Sequence, residues 1–481
     1  MSETTETVDS AVETVAQAST AWARTAYAER ARVIRSIADA LDAAGDELVS
    51  LAMEETHLPE PRLRGELKRT TFQLRLFCNV IEEGSFIDAR IDRPDAEWPM
   101  GAPRPDLRRM LVPIGPVLNF AASNFPFAFS VAGGDTASAW AAGNAVLVKA
   151  HSGHPRLSDA TAAVITEATA AAGGPDGLLR VIHGHEAGIA ALRHPLIKAA
   201  SFTGSIAGGR ALFDIANARP VPIPFYGELG SVNPAFVLPA AASARPAAIA
   251  AEYIASVTGS QGQLCTKPGV LFVPAGSAVV EELRGADAPG AAPMLNDRIQ
   301  TGYLDSLAKL AEHDGVEVLR EGADSRANPP ELTLLFTSID AVLADVHGLV
   351  TEVFGPTGLV VEYDDPAKLA DVAALLEGQL SATLVAEADG DLDLARTLVP
   401  ILQDKAGRIL WNQWPTGVSV THAQQHGGPY PATTTSTTTA VGTAAIFRFL
   451  RPVAYQNFPA ELLPEPLQDA NPLGVPQRID G

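Results

Sequence analysis

From Arg109 onward the sequence alternates short apolar runs with helical patterns, and this alternation constrains the fold more than any other feature. Met110–Val112, Val117–Ala121, Ala145–Val148, Leu179–Ile182 and Ala199–Thr203 read as strands. Helical spacing lies between them at Ser130–Ala142, Pro155–Ala171 and Glu186–Leu192. Strands separated by helices pair in parallel, with helices on both faces of the sheet. Ligands of such sheets bind beyond the carboxyl ends of the strands. A second α/β half follows Glu228. Its candidate strands are Ala235–Leu238, Val270–Val273, Val316–Leu319, Thr333–Thr337, Gly358–Tyr363, Ala382–Val385 and Arg408–Trp411. Thr433–Thr439 is a polar loop or an edge strand.

The N-terminal region reads differently. Val33, Ile34, Ile37, Leu41, Leu48, Leu51 and Ala52 recur at helical spacing, so residues 8–55 are expected to be helical. A second helix spans about Leu63 to Glu83, with Leu67, Leu74, Phe77, Val80 and Ile81 on one side. Arg93–Pro105 is Pro-rich and without regular structure. Near the C-terminus, Ala445–Asn457 alternates like a strand, and the Pro-rich tail Leu462–Gly481 is assigned no regular structure.

Charge and cysteine content exclude several classes of partner. Thirty-five basic against 56 acidic residues give a formal charge of −21, which opposes general binding to nucleic acid or an anionic membrane. Anionic ligands therefore need local cationic groups or helix N-termini. Two cysteines in 481 residues make no disulfide framework, so a reducing cytoplasm is expected. Met1–Ser10 is acidic and lacks the pattern of a signal peptide. Val131–Val148 is the most apolar run, but Gly133, Gly134, Asp135, Gly143 and Asn144 interrupt it, so no membrane span is expected.

Cys265 lies in a glycine-flanked stretch, Gly259-Ser-Gln-Gly-Gln-Leu-Cys265-Thr. A lone cysteine is usually a small buried apolar residue, and Cys78, between Phe77 and Val80 on a helix, reads that way. The company of Cys265 changes its reading. Glu228-Leu-Gly-Ser precedes it, and Asn124 sits at a strand end in Ala122-Ser-Asn124-Phe-Pro126. Phe202-Thr-Gly204-Ser205 closes a strand and opens a helix. Glu352-Val-Phe354-Gly-Pro356 follows later, and Lys149 ends another strand.

Together these motifs resemble the aldehyde dehydrogenase superfamily over about residues 20–460. Four stretches resemble one branch of it, that of 2,5-dioxovalerate (α-ketoglutarate semialdehyde) dehydrogenases and an NADP-dependent fatty aldehyde dehydrogenase. They are Ala122–Pro126, Phe129-Ser-Val-Ala-Gly-Gly-Asp-Thr136, Tyr226-Gly-Glu-Leu-Gly-Ser-Val-Asn-Pro234 and His426-Gly-Gly-Pro-Tyr-Pro-Ala-Thr433. The resemblance implies a Rossmann-like cofactor domain (1–92 and 110–230), an α/β catalytic domain (231–440), and bridging or oligomerisation segments (93–109 and 441–481). It implies Cys265 as nucleophile, forming a thiohemiacetal and then a thioester. Asn124 and the Cys265 N–H would hold the oxyanion, and Glu228 would be general base for the hydrolytic water. Lys149 would bind the adenosine ribose, Glu352 the nicotinamide ribose with Phe354 beside it, and Gly204 and Ser205 the pyrophosphate. No metal is implied.

Departures from the family pattern carry information about cofactor and substrate. Ser152 stands where many NAD-preferring relatives have a glutamate. A serine can donate to a 2′-phosphate that a carboxylate would repel, so NADP is preferred over NAD, with His151 adding charge if protonated. Ser123 replaces a common tryptophan before Asn124. His426 stands where many relatives have an aromatic residue, and it lines the pocket or lies on the surface. Phe125 and Phe127 are candidate tunnel walls, with core packing as the alternative for Phe127. An α-keto carboxylate needs a cation, for which Arg69 and Arg75 are candidates.

Other functions fit less well. A cysteine hydrolase would need a histidine with an orienting Asn or Asp, and none is recognisable near Cys265. A CoA-dependent acylating enzyme would not need Glu228. A catalytically silent relative would have no reason to keep both Cys265 and Glu228. A medium- or long-chain fatty aldehyde is the alternative substrate. The strand near the C-terminus joins a neighbouring subunit in relatives, so a homodimer or homotetramer is expected, or it closes its own sheet.

Overall fold

Val117–Ala121 is apolar at nearly every position, as a strand at the centre of a parallel sheet must be. In the computed structural model, which describes residues 5–322 and 329–481, Val117–Phe120 is buried throughout and forms the middle of a five-stranded parallel sheet. The strand order is Leu179–Ile182, Val146–Lys149, Val117–Phe120, Ala199–Thr203, Phe225–Glu228. The chain builds from the centre to one edge, returns, and builds to the other. At the return point, between Val117–Phe120 and Ala199–Thr203, the connections diverge and leave a crevice at the carboxyl ends. Asn124 follows the first of these strands, and Gly204 and Ser205 follow the second.

Helices cover this sheet. Trp22 and Trp140 are fully buried, and their indole N–H groups donate to Trp140 O (2.9 Å) and Leu178 O (3.2 Å). Both rings thus bury apolar area without stranding a donor. Cys78 is likewise buried in the helix Glu60–Glu83. The helix expected from Ser130 begins at Gly134. A Cβ on Gly133 would lie 2.5 Å from Ala128 O, so the chain crosses itself before the helix can start.

Among the described residues a seven-stranded sheet forms the second half, in the order Glu317–Arg320, Thr333–Ser338, Thr357–Tyr363, Val270–Pro274, Ala235–Val237, Gln379–Val385, Ala406–Trp411. Its pairs are parallel except the first, where Glu317–Arg320 runs antiparallel as an edge. Cys265 and Glu352 lie just before the amino ends of Val270–Pro274 and Thr357–Tyr363. No helix among the described residues is long and apolar enough to cross a membrane.

The third sheet corrects three expectations. Its order is Leu450–Gln456, Leu107–Pro113, Ala89–Asp92, Gln477–Ile479. The strand expected over Ala445–Asn457 is divided, because Thr443–Phe449 is a 3-10 turn whose Ala445, Ile446 and Phe449 enter the core. The tail is not without structure: Gln477–Ile479 pairs in parallel with Ala89–Ile91. Asp480 anchors it by accepting from the Arg93 N–H (2.9 Å) and from Arg104 (2.8 Å), contacts no local pattern reveals. Ala89–Asp92 therefore belongs to this sheet rather than to the cofactor-domain segment.

Arg448, in the 3-10 turn, ion-pairs at 2.6 Å with Asp135 in the first turn of Gly134–Ala142, both side chains being almost fully buried. Removing one partner of a buried pair leaves an uncompensated charge, costing about 3–5 kcal/mol. Asp135→Ala is expected to lower the urea midpoint by that equivalent. Asp176→Ala, which breaks an exposed pair with Arg180, is expected to cost less than about 1 kcal/mol in the same titration.

Candidate active site

Cys265 is reached through an unusual stretch of backbone. After the helix Pro246–Thr258, Ser260, Gln261 and Gly262 all take positive φ (52°, 55° and 65°). A Cβ on Gly262 would lie 2.0 Å from Gly355 O, so only glycine fits. Asn233, at φ 53°, donates through Nδ2 to Cys265 O (2.8 Å) and Lys267 O (3.0 Å). The buried Lys267 ammonium donates to the carbonyls of Val353, Gly355 and Thr357 at 2.5, 3.2 and 2.8 Å. These bonds fix the backbone of Cys265 and tie it to the loop that carries Glu352.

Glu228 ends the strand Phe225–Glu228, and His426 arrives on a loop that runs back along it. Leu229 N–H donates to Ala432 O (2.8 Å), Thr434 N–H donates to Gly227 O (3.0 Å), and Thr433 bridges Glu228. Thr433–Thr439 is therefore a loop with one bridge. His426 is 2% exposed, and its Nε2 lies 2.8 Å from Glu228 Oε1 and 3.7 Å from Cys265 Sγ. One ring nitrogen cannot donate to the carboxylate and accept from the thiol at once. The shorter contact makes Nε2–H the donor to Glu228, and the Cys265 thiol donates to the same carboxylate.

Burial, then the charge and hydrogen bond of Glu228, push the Cys265 thiol well above its ordinary value, so it rests as a thiol. Burial would also raise Glu228, but the neighbouring His426, the Cys265 thiol and Arg448 outweigh it and lower that carboxyl. Glu228 Oε2 is buried without a hydrogen-bond partner.

Asn124 donates through Nδ2 to Gln263 O at 3.0 Å, two residues from Cys265. Its loop is shaped by the helix Glu60–Glu83. Arg62 donates to Asn124 O (2.6 Å), and Glu66 Oε1 accepts from the N–H groups of Phe127 (2.8 Å) and Ala128 (2.9 Å). Arg62, Glu66 and Arg69 fall on one side of that helix, at i, i+4 and i+7. Arg62 stacks over Phe125 at 5.0 Å and Arg69 over Phe129 at 5.5 Å. Burial lowers the Arg69 guanidinium, while Glu66 and then Cys265 and Glu228 act on it in the opposite direction.

Of the two readings of Phe127, core packing holds. Phe127 is 2% exposed and joins the main core. Phe129 takes the place expected of it, 5.4 Å from Phe125 and 6.2 Å from His426 between ring centroids. Phe129 also belongs to a small apolar cluster with Val420 and Val441, separate from the main cores. Arg75 does not reach this region; it pairs with Asp39 and Asp42, both at 2.6 Å, on the surface.

A cleft beside the crevice of the first sheet is lined by Ile206, Gly230, Ser231 and Glu352. Glu352 lies against Gly230, where a Cβ would come within 2.4 Å of its Oε2. Burial raises its carboxyl to about 7, with Lys267 opposing. Phe354 is half-buried beside it. Ser205 Oγ caps the helix Ile206–Asn217 by accepting from Gly208 N–H (3.3 Å), directly after Gly204. Ser123 is half-buried before Asn124, and Ser152 is exposed in the turn after Lys149. His151 does not supply the charge expected of it. Burial, then His154, Lys149 and Arg298, lower its imidazole to about 3, and its Nδ1 accepts from Gly153 N–H (3.0 Å). Arg298, exposed in the first turn of Asp297–Ala311, acts on Lys149 from the other half of the chain: burial and then Arg298 lower the Lys149 ammonium.

The aldehyde dehydrogenase family model matches residues 1–430. The chain belongs to the aldehyde dehydrogenase family. It is 45% identical to an α-ketoglutaric semialdehyde dehydrogenase 2 of Azospirillum brasilense, across 98% of this chain and 91% of that enzyme. It is 42% identical to an α-ketoglutaric semialdehyde dehydrogenase of Acinetobacter baylyi, across 99% and 91%. Among solved structures, a methylmalonate-semialdehyde dehydrogenase of Oceanimonas doudoroffii superposes with a TM-score of 0.79 at 22% identity, covering 95% of this chain and 92% of that one. Lactaldehyde dehydrogenase of Escherichia coli does so at 0.80 and 19%, with 95% and 92% covered. These last two likenesses show the fold.

In this aldehyde dehydrogenase the raised Cys265 thiol makes a direct prediction. Alkylation requires the thiolate, so inactivation by iodoacetamide is expected to be slow at neutral pH and to accelerate only above the usual thiol range, near about 8.5. Glu228→Gln removes the negative charge that opposes ionisation. The alkylation profile is then expected to move to lower pH while steady-state turnover falls by roughly 10²–10⁴. An alkylation profile unmoved by Glu228→Gln would contradict the electrostatic coupling.

Proposed function

We propose that this aldehyde dehydrogenase oxidises 2,5-dioxovalerate to 2-oxoglutarate, with NADP preferred over NAD. The observation that carries the substrate is Arg69. Its guanidinium lies over Phe129, within the field of Cys265 and Glu228. Among the described residues its side chain has no ion pair or hydrogen bond, although Arg62 on the same helix has both. A half-buried guanidinium that lies over Phe129 without an ion pair or hydrogen bond suits a substrate that carries a carboxylate at the end away from its aldehyde. The two curated relatives named as α-ketoglutaric semialdehyde dehydrogenases support the same reading. A fatty aldehyde would suit the wall of Phe125 and Phe129, but its chain would desolvate Arg69 without pairing it. A silent relative would have no need of the convergence of Cys265, Glu228 and His426.

The mechanism follows from the contacts. With the carboxylate on Arg69, the aldehyde carbon meets Cys265. As the C–S bond forms, the thiol proton passes to Glu228, to which it already donates. Asn124 Nδ2 exchanges Gln263 O for the developing oxyanion, together with the Cys265 N–H. A dinucleotide held by Lys149, Glu352 and the helix N-terminus at Ser205 would supply the hydride acceptor for the oxidation to a thioester. Once Glu228 has released its proton, its free Oε2 takes one from the attacking water, and the C–S bond breaks. His426 holds Glu228 in place throughout.

The residues of the cleft fit a dinucleotide. Arg298 acts on Lys149, Ser152 is exposed in the turn after Lys149, and the capped helix at Ser205 offers N–H donors. This cationic end favours a 2′-phosphate. A homodimer built through Leu450–Gln456 is supported by the free outer edge of that strand.

Reduced-cofactor absorbance tests the whole reading. Wild-type enzyme is expected to turn over 2,5-dioxovalerate, faster with NADP than NAD, and Cys265→Ala to be inactive. Arg69→Met is expected to lower kcat/KM for 2,5-dioxovalerate by about 10–100-fold, the worth of a charge-assisted pair, and to leave an uncharged aldehyde of equal length within about twofold. Equal losses on both substrates would remove Arg69 from substrate recognition. Turnover of long aldehydes only would move the assignment to the fatty aldehyde reading.

A further inference from the structure

Cys265, Glu228 and His426 are separated by tens to hundreds of residues, so no metal-ligand spacing is visible in the sequence. In the fold, one ligand atom from each converges, and these atoms lie within 4.8 Å of one another. We propose that the three side chains form a binding site for one thiophilic divalent cation of the zinc type, and that its occupancy switches the dehydrogenase off.

The geometry is close to what such an ion needs. Tetrahedral zinc with bonds of about 2.3 Å to sulfur and about 2.0–2.1 Å to nitrogen and oxygen sets S···N near 3.6 Å and N···O near 3.4 Å. Cys265 Sγ and His426 Nε2 already stand 3.7 Å apart. His426 Nε2 and Glu228 Oε1 are at 2.8 Å, because a proton now joins them, and they would open by roughly half an ångström. Glu228 Oε2, buried and without a partner, offers a second lone pair with no bond to break. Three protein ligands leave a fourth position for water, the pattern of an open zinc site.

Charge and protons balance. Binding releases the thiol proton of Cys265, and the His426 proton moves from Nε2 to Nδ1, freeing the lone pair on Nε2. A dication, a thiolate and a carboxylate sum to zero, so no net charge is buried. Arg69 and Arg448 both act on this cluster and oppose a cation. Only an ion with strong affinity for sulfur and imidazole overcomes them, which excludes magnesium and calcium. The bound ion occupies the sulfur that attacks the aldehyde and the carboxylate that serves as base, so metal and substrate exclude one another. The thiolate is also shielded from alkylation and oxidation.

The proposal does not depend on which aldehyde is oxidised, and failure to oxidise 2,5-dioxovalerate would leave it standing. Cobalt(II), titrated into cofactor-free full-length protein, is expected to give a thiolate-to-metal charge-transfer band and intense four-coordinate visible bands. Both are expected to saturate at one ion per chain, and zinc is expected to bleach them. Cys265→Ala is expected to abolish the charge-transfer band, and His426→Gln to weaken zinc binding by roughly 10–100-fold. Each variant is checked for native circular dichroism. In wild-type enzyme, which needs no variant, zinc is expected to slow carbamidomethylation of Cys265, and magnesium to have no effect. Absence of a charge-transfer band, undiminished zinc affinity in both variants, or alkylation as fast with zinc as without it would each overturn the proposal.

Discussion

The site depends on one buried carboxylate holding two donors. Glu228 accepts from the Cys265 thiol and from His426 Nε2–H, at a position 3% exposed to solvent. Desolvation works against every charge placed there, and only the two donors and the nearby Arg448 keep the carboxylate ionised. The same carboxylate then keeps the thiol protonated. Thiol and carboxylate are thus coupled, and neither can be changed without moving the other.

Holding that cluster in place requires both halves of the chain. The first sheet delivers Glu228 from the carboxyl end of its edge strand, and Asn124 and Ser205 from its return point. The second sheet delivers Cys265 and Glu352 from the loops that enter its strands. Neither set of loops is regular, and each is secured by buried polar groups. Asn233 and Lys267 bind carbonyls around Cys265, while Glu66 and Arg62 bind the backbone around Asn124. Such bonds are strong because the alternative is an unsatisfied group away from water.

This division explains which features were legible in the sequence. The parallel strands were readable because a strand buried on both faces is a short apolar run, whatever its neighbours. Cys265, Glu228, Asn124 and Lys149 were readable because each sits in a local motif. His426 was not settled, since its burial depends on a loop that pairs with a strand about two hundred residues earlier in the chain. The fold does bring His426 Nε2 to 3.7 Å from Cys265 Sγ, but that nitrogen is engaged by Glu228. Arg62 and Glu66 carried only the spacing of a helix face, which ordinary surface charges share. Arg298 was invisible near Ser152 because it comes from the other half of the chain. The tail was misread because its order rests on Asp480 meeting Arg93 and Arg104.

The formal charge of −21 sets the last constraint. A chain so acidic repels anions at long range, yet the proposed substrate and dinucleotide are both anions. Salt screens that field beyond about 8 Å, so what matters is the charge inside the cleft. There cations are placed locally: Arg69 lies within the field of Cys265 and Glu228, and Arg298 acts on Lys149. Each is partly desolvated or opposed by another cation, a condition that costs energy until an anion arrives. An anion that pairs with these groups relieves that cost. The protonated Cys265 adds nothing to the negative charge that an incoming carboxylate must meet.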